Sequence, residues 1–194
     1  HEPYASSASE MVTELAQYFN TKQQLGRVEA EAVLAGIMLD TKNFIIGTGA
    51  RTFEAAAYLR KLGADMVEVR KLFSTSMDDY QNRSKLVSSA EIYRGCAIAS
   101  SSAGVGDIKI VAPQAADELL SISDVDASFV LYEYDGGVSM SARSLGAMNV
   151  QLIMEALGGG GHQTMAGAQL AGVSMENARQ QLLEAIDNFY DKRS

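Results

Sequence analysis

Four consecutive glycines, Gly158 to Gly161, end on His162 and run into Gln163-Thr164-Met165-Ala166-Gly167, and no other feature constrains this chain as much. Without Cβ atoms a backbone can take positive φ and lie against another strand or a ligand. Successive unobstructed amides make an anion-binding concavity, and a terminal imidazole adds a donor or a proton shuttle. Most glycine-rich stretches are slack turns. This one is boxed between a helical pattern, Ala147 to Leu157, and a β-like segment, Ala166 to Leu170, which favours a built loop. Phosphate is the guest such a loop suits.

A phosphate-bearing partner must be held locally, because the chain carries a formal charge of −8 from 16 basic and 24 acidic residues. There is no Lys/Arg cluster, so the long-range field opposes a nucleic-acid polymer. Trp is absent, and the eight Tyr do not alternate with basic residues as a stacking platform requires. No apolar run approaches the ~18 residues of a membrane helix, so no membrane contact is expected of this chain. The single Cys96 excludes an internal disulfide and suits a reducing, cytoplasmic setting. His1 precedes Glu2-Pro3-Tyr4 with no initiator methionine; it reads as a cut boundary, is assigned no role, and suggests a piece of a longer protein.

Periodicity divides the 194 residues into a helical first part and an α/β second part. Ser7-Ala8-Ser9-Glu10 has the form of a capping box and opens a helix over about 8–20. A second helix runs from about Val28 through Ile37 to Asp40, and a third from Thr52 to Gly63. Met66 to Leu72 reads as a short strand or a helix end. The polar stretch Ser74 to Asp79 marks a linker leading into a connecting helix, Asp78 and Asp79 being its solvated start. The expected domains are therefore 1–73, a linker with connecting helix over 74–90, and 91–194.

In the second part, Ile92 to Ala99 and Ile108 to Val111 read as strands around a Ser/Gly loop from Ser100 to Gly106. Ala115 to Leu120 reads as a short helix, and Ser128 to Tyr134 and Val138 to Arg143 as a hairpin turned by Asp135-Gly136-Gly137. Ala147 to Leu157 is helical, and Ser174 caps a last helix whose apolar face holds Ala178, Leu182, Leu183, Ile186 and Phe189. A helical first part this small is marginal alone, and its apolar faces could pair with a second copy as a homodimer.

Two residues outside the glycine run invite chemistry. Arg143, in Ser141-Ala142-Arg143-Ser144 at a strand end, offers a planar fork of donors suited to phosphate, with Asn149 a turn into the next helix. Asp40 ends an apolar helix, where the dipole disfavours a carboxylate. A bound cation, a hydrogen bond from Thr41 or an ion pair with Lys42 would offset that. A single carboxylate is far from a metal site, since hard divalent cations take several ligands.

The residues Gly158 to His162 with Ala166-Gly167 resemble the GGGH signature of the DHHA1 domain in DHH-type phosphoesterases. The strings Glu2-Pro3-Tyr4-Ala5-Ser6-Ser7, Leu39-Asp40-Thr41-Lys42-Asn43-Phe44 and Ser141-Ala142-Arg143-Ser144 through Asn149-Val150-Gln151 extend the likeness. Together they resemble the C-terminal half of membrane-anchored bacterial cyclic-di-AMP phosphodiesterases. The implied fold is α/β: a truncated, mostly helical DHH remnant, then a DHHA1 domain with a mixed β-sheet and flanking helices.

The implied activity is hydrolysis of cyclic di-AMP to pApA with two manganese ions in the intact parent, tethered at the cytoplasmic membrane face. Asp40 matches a metal-ligand aspartate. Ser141, Arg143, Ser144, Asn149, Gly158, Gly159, Gly160, Gly161 and His162 match the substrate-gripping part, with His162 also assisting the leaving group. The family's other metal motifs are expected upstream of Glu2, leaving this piece inactive. The rivals are an oligoribonuclease or 3′-phosphoadenosine phosphatase of the same superfamily, and a non-catalytic nucleotide-binding module.

Overall fold

The computed structural model describes residues 2, 4–19, 25–101, 107–134 and 136–191. His1, Asp135 and most of the Ser100 to Gly106 loop lie outside the described residues. The chain divides into two compact units, His1–Ser74 and Thr75–Ser194.

Among its described residues the first unit is built of helices alone: α1 (Ala8–Tyr18), α2 (Arg27–Asp40), α3 (Ala50–Lys61) and α4 (Met66–Lys71). Ser7 caps α1 by accepting from the Glu10 amide at 3.0 Å. The return half of the expected capping box is displaced by one residue: the Glu10 carboxylate accepts from the Ser6 amide at 3.3 Å rather than from Ser7. The core is Ala30, Leu34 and Ile37 of α2 with Ala55, Leu59, Ala64 and Val69. Val12 and Leu15 of α1 and its C-cap Phe19, three of the five apolar residues at helical spacing from Met11 to Phe19, remain exposed. Residues 66–71 are a helix and not a strand, because Asp65 caps them by accepting from the Val67 amide at 2.8 Å.

The second unit is a six-stranded sheet between two helical layers. Its elements are α5 (Met77–Ser88), β1 (Glu91–Tyr93), β2 (Cys96–Ser101), α6 (Ile108–Leu119), β3 (Ala127–Tyr134), β4 (Gly137–Ser144), α7 (Val150–Ala156), β5 (Gly160–His162), β6 (Met165–Ala171) and α8 (Met175–Asp191). The strand order is β1-β2-β3-β4-β6-β5. Strands β2 and β3 run parallel, joined through α6, and every other pairing is antiparallel. Alternation sorts the faces. Phe129, Leu131, Met140 and Ala142 pack on one side with Ile153 and Met154 of α7 and with Leu182 and Ile186 of α8. On the other, Ala97, Ala99, Val130 and Tyr132 pack with α6 and with Leu86 of α5.

Three segments take a form other than the one their local sequence predicts. Residues 92–99 are not one strand but a tight hairpin, reversed at Arg94 (φ 48°) and Gly95 (φ 74°). Tertiary contacts hold Arg94 in that conformation: Nη1 lies 2.7 Å from Asp187 of α8, the guanidinium sits 4.5 Å over the Tyr190 ring, and Tyr190 donates to its carbonyl at 2.8 Å. Residues 108–111 are the first turn of α6 and not a strand. Their β-branched side chains and Pro113 argue against a helix locally, but Val111, Ala112, Ala115, Ala116 and Leu119 bury one continuous face on the sheet. Finally, residues 160–162 form an edge strand and not a loop, and α7 begins only after Asn149. Cys96 is fully buried beside Met148, and burial pushes its thiol up to about 12, so it is an inert core residue.

Candidate functional site

The sheet of the second unit runs out from under α6 at β4, and the exposed remainder is where the glycine run lies. Antiparallel register sets the face of each residue. Arg143 on β4 stands opposite Met165 on β6, which stands opposite His162 on β5. These three therefore form one row on a single face, Arg143 and His162 two strand spacings or about 10 Å apart. The next row on that face is Ser141, Gly167 and Gly160. The result is a shelf: a floor of glycine and serine, with an arginine at its inner end, an exposed Met165 in the middle and an exposed His162 at its rim.

Each glycine of the run has its own physical reason. Gly158 takes φ +77°, turning the chain out of α7. A Cβ on Gly159 would lie 2.1 Å from the Gly167 carbonyl oxygen, and one on Gly161 2.5 Å from the Ala166 Cα, so both permit close approach of β6. Gly160 is different: its φ is ordinary and a Cβ there would meet nothing within 4 Å. Nothing inside the fold requires a glycine at 160, whereas a ligand lying on the shelf would.

Arg143 is buried to nine-tenths, unusual for a charged side chain without full pairing. Its Nη1 donates to the Ala142 carbonyl at 3.0 Å, and its Nε lies 3.3 Å from Asp117 Oδ1 on α6. That approach is an ion pair without hydrogen-bond alignment, leaving Nε buried and unbonded. The third nitrogen, Nη2, makes no hydrogen bond among the described residues and is not fully enclosed. Ser141, in the floor of the shelf, is itself buried.

Ser144 and Asn149 are occupied by the scaffold. Ser144 Oγ donates to the Met148 carbonyl at 2.7 Å, its amide to Thr164 O at 3.0 Å, and the Val150 amide to Gln163 O at 3.0 Å. Those bonds fasten the β5–β6 turn to the β4–α7 loop, which sets His162 relative to Arg143. Asn149 caps α7, accepting from the Gln151 amide at 3.0 Å.

Residues 98–192 match the model of the DHHA1 domain. The chain belongs to the DHH/DHHA1 family. It is 51% identical over 192 residues to a cyclic-di-AMP phosphodiesterase of Geobacillus thermodenitrificans, and 48% identical over 191 residues to one of Listeria monocytogenes. Those matches take in 98% and 97% of this chain but only 29% of each relative's length. An exopolyphosphatase-related protein from Bacteroides fragilis shares the fold, with a TM-score of 0.87 at 24% identity, over 96% of this chain and 58% of that one. The shelf is thus a feature of a DHHA1 domain, on the sheet face that α6 leaves open.

Asp40 lies in the other unit, exposed as the last residue of α2. Of the offsets considered for its carboxylate, the hydrogen bond from Thr41 does not form, because the fully buried Thr41 hydroxyl donates to Ile37 O at 2.7 Å. After it, Lys42, Asn43 and Phe44 take φ of 46°, 59° and 64°, three successive left-handed residues without a glycine. Each such residue costs about 1 kcal/mol or more, so the turn persists only because something over-determines it. Thr41 does so: Oγ1 accepts from the Phe44 amide at 3.0 Å, and its carbonyl accepts from Ile45 at 2.8 Å and Ile46 at 3.0 Å. Thr41→Val should therefore destabilise the first unit by ~2 kcal/mol in urea denaturation, with Thr41→Ser close to wild type. Equal stability of Val and wild type would show that the hydroxyl does not hold the turn.

Among the described residues no three His, Cys, Asp or Glu side chains are grouped as a metal site. The donors described here do not fit a manganese pair. Asp117 and Met165 were not singled out by sequence reasoning. The first reaches the shelf only through the crossing of α6 over β4, and the second only through strand register.

Proposed function

We propose that this chain is the nucleotide-gripping part of a phosphodiesterase that hydrolyses cyclic di-AMP to pApA. The observation that carries the proposal is the row Arg143–Met165–His162 above an unobstructed Gly160, a cationic and imidazole-bearing shelf on a DHHA1 domain. The Geobacillus and Listeria relatives are named cyclic-di-AMP phosphodiesterases. Arg143 Nη2 would take a phosphate oxygen, and Gly160 and Gly167 would let the ligand lie flat against the backbone. Met165 would cover its apolar portion, and His162 would donate to a second oxygen or to the departing one. These are local devices, as a chain of net charge −8 requires. A solvated nucleotide of two units fits that arrangement better than a polymer, whose charge the whole surface would repel.

The family resemblance implies two ions in the intact protein with Asp40 as one ligand; a single exposed carboxylate would need further donors from elsewhere in the protein. No helix among the described residues is long and apolar enough to cross a membrane.

The full-length natural gene product, supplied with manganese, should convert cyclic di-AMP to pApA in preference to short RNA or 3′-phosphoadenosine phosphate. The present chain alone should bind cyclic di-AMP without cleaving it. Preference for short RNA would replace the reading with an oligoribonuclease. Binding without hydrolysis by the full-length protein would make it a nucleotide-binding module.

A further inference from the structure

We infer that Asp117 is a positioning residue for the shelf: it fixes the plane of the Arg143 guanidinium so that Nη2 faces the ligand. The inference rests on the shelf being the nucleotide site. A guanidinium is rigid and planar, so holding two of its nitrogens sets the direction of the third. Nη1 donates to the Ala142 carbonyl at 3.0 Å and Nε stands 3.3 Å from Asp117 Oδ1, while Nη2 makes no hydrogen bond among the described residues and is not fully enclosed. The Ala142 bond alone cannot do this, since it comes from the residue next in sequence and moves with the same backbone.

A carboxylate beside an anion site also repels the anion, and the two effects oppose each other. Exposure decides between them. The Asp117 side chain is 39% exposed, so water and salt screen its charge at the distance of a ligand, whereas the Arg143 side chain is 10% exposed and touches Asp117 directly. Orientation therefore outweighs repulsion. The unaligned Nε is the mark of a pair poised to close: a small rotation on ligand binding would convert the contact into a charge-assisted hydrogen bond.

Calorimetric titration of the chain with cyclic di-AMP tests this. Asp117→Ala should weaken binding about tenfold, the loss expected of one charge-assisted hydrogen bond. Asp117→Asn, which keeps an acceptor oxygen, should recover most of it. In an Arg143→Ala background, Asp117→Ala should change nothing, because the residue acts through the arginine. Binding by Asp117→Ala as tight as or tighter than wild type, or an effect that adds in full to that of Arg143→Ala, overturns the inference while leaving the shelf in place. Unchanged binding by Arg143→Ala overturns both. A ligand-free readout is independent of these: the Arg143 Nε–H resonance should exchange with solvent faster in Asp117→Ala, and equal exchange counts against the positioning role.

Discussion

Alanine at Gly159 should disrupt the open edge of the second unit, while alanine at Gly160, one residue on, should leave the fold intact and weaken ligand binding. The Gly159 Cβ would sit 2.1 Å from Gly167 O and 2.7 Å from the Ala168 Cα. Those are backbone atoms of β6, which is itself bonded to β4, so relief requires the β5–β6 pairing to open. A cost of ~3 kcal/mol or more is expected, at the upper end of overpacking penalties. At Gly160 the new methyl meets nothing within 4 Å and φ needs no change, so stability should shift by less than ~1 kcal/mol, and in the favourable direction, because alanine has less chain entropy to lose. The methyl would project onto the shelf, and binding of cyclic di-AMP should fall by about tenfold or more, since the closest approach to the backbone is lost. Thermal melting and calorimetry on the two variants separate the effects. Normal binding by a folded Gly160→Ala protein would move the ligand off this face.

Arg143→Ala should reduce affinity for cyclic di-AMP by about 100-fold, the range expected when one partner of a desolvated charge pair is removed. The fold should survive. Asp117 is 39% exposed and hydrates readily once the guanidinium is gone, so the stability cost is that of lost aliphatic packing, ~1 kcal/mol. Arg143→Lys should recover little, because a point charge replaces a fork whose orientation is the source of its effect. Affinity of wild-type strength in Arg143→Ala would remove the arginine from the site, and collapse of the fold would reassign it to structure.

Local sequence was a sound guide where local physics decides. Helices opened by Ser7 and by Ser174, and the β3–β4 hairpin, lie where caps and alternation place them, since these depend on neighbours within a few residues. It misled at 92–99 and 108–111. Arg94 turns because Asp187 and Tyr190, some ninety residues away, hold it, and residues 108–111 are helical because the sheet needs their apolar face covered. Neither cause is visible within a window of sequence.

The site divides in the same way. From the sequence alone came the residue types: a glycine run with His162, an arginine at a strand end, a lone Asp40, and a family signature whose DHHA1 part the match over residues 98–192 supports. Tertiary structure decided which of these residues meet. Register carried Arg143, Met165 and His162 into one row, close packing claimed Gly159 and Gly161 for the fold and left Gly160 open, and the crossing of α6 set Asp117 beside the arginine. The physical reason is that composition sets which interactions a chain can make, whereas strand pairing and helix packing, acting over long sequence separations, set which of them meet.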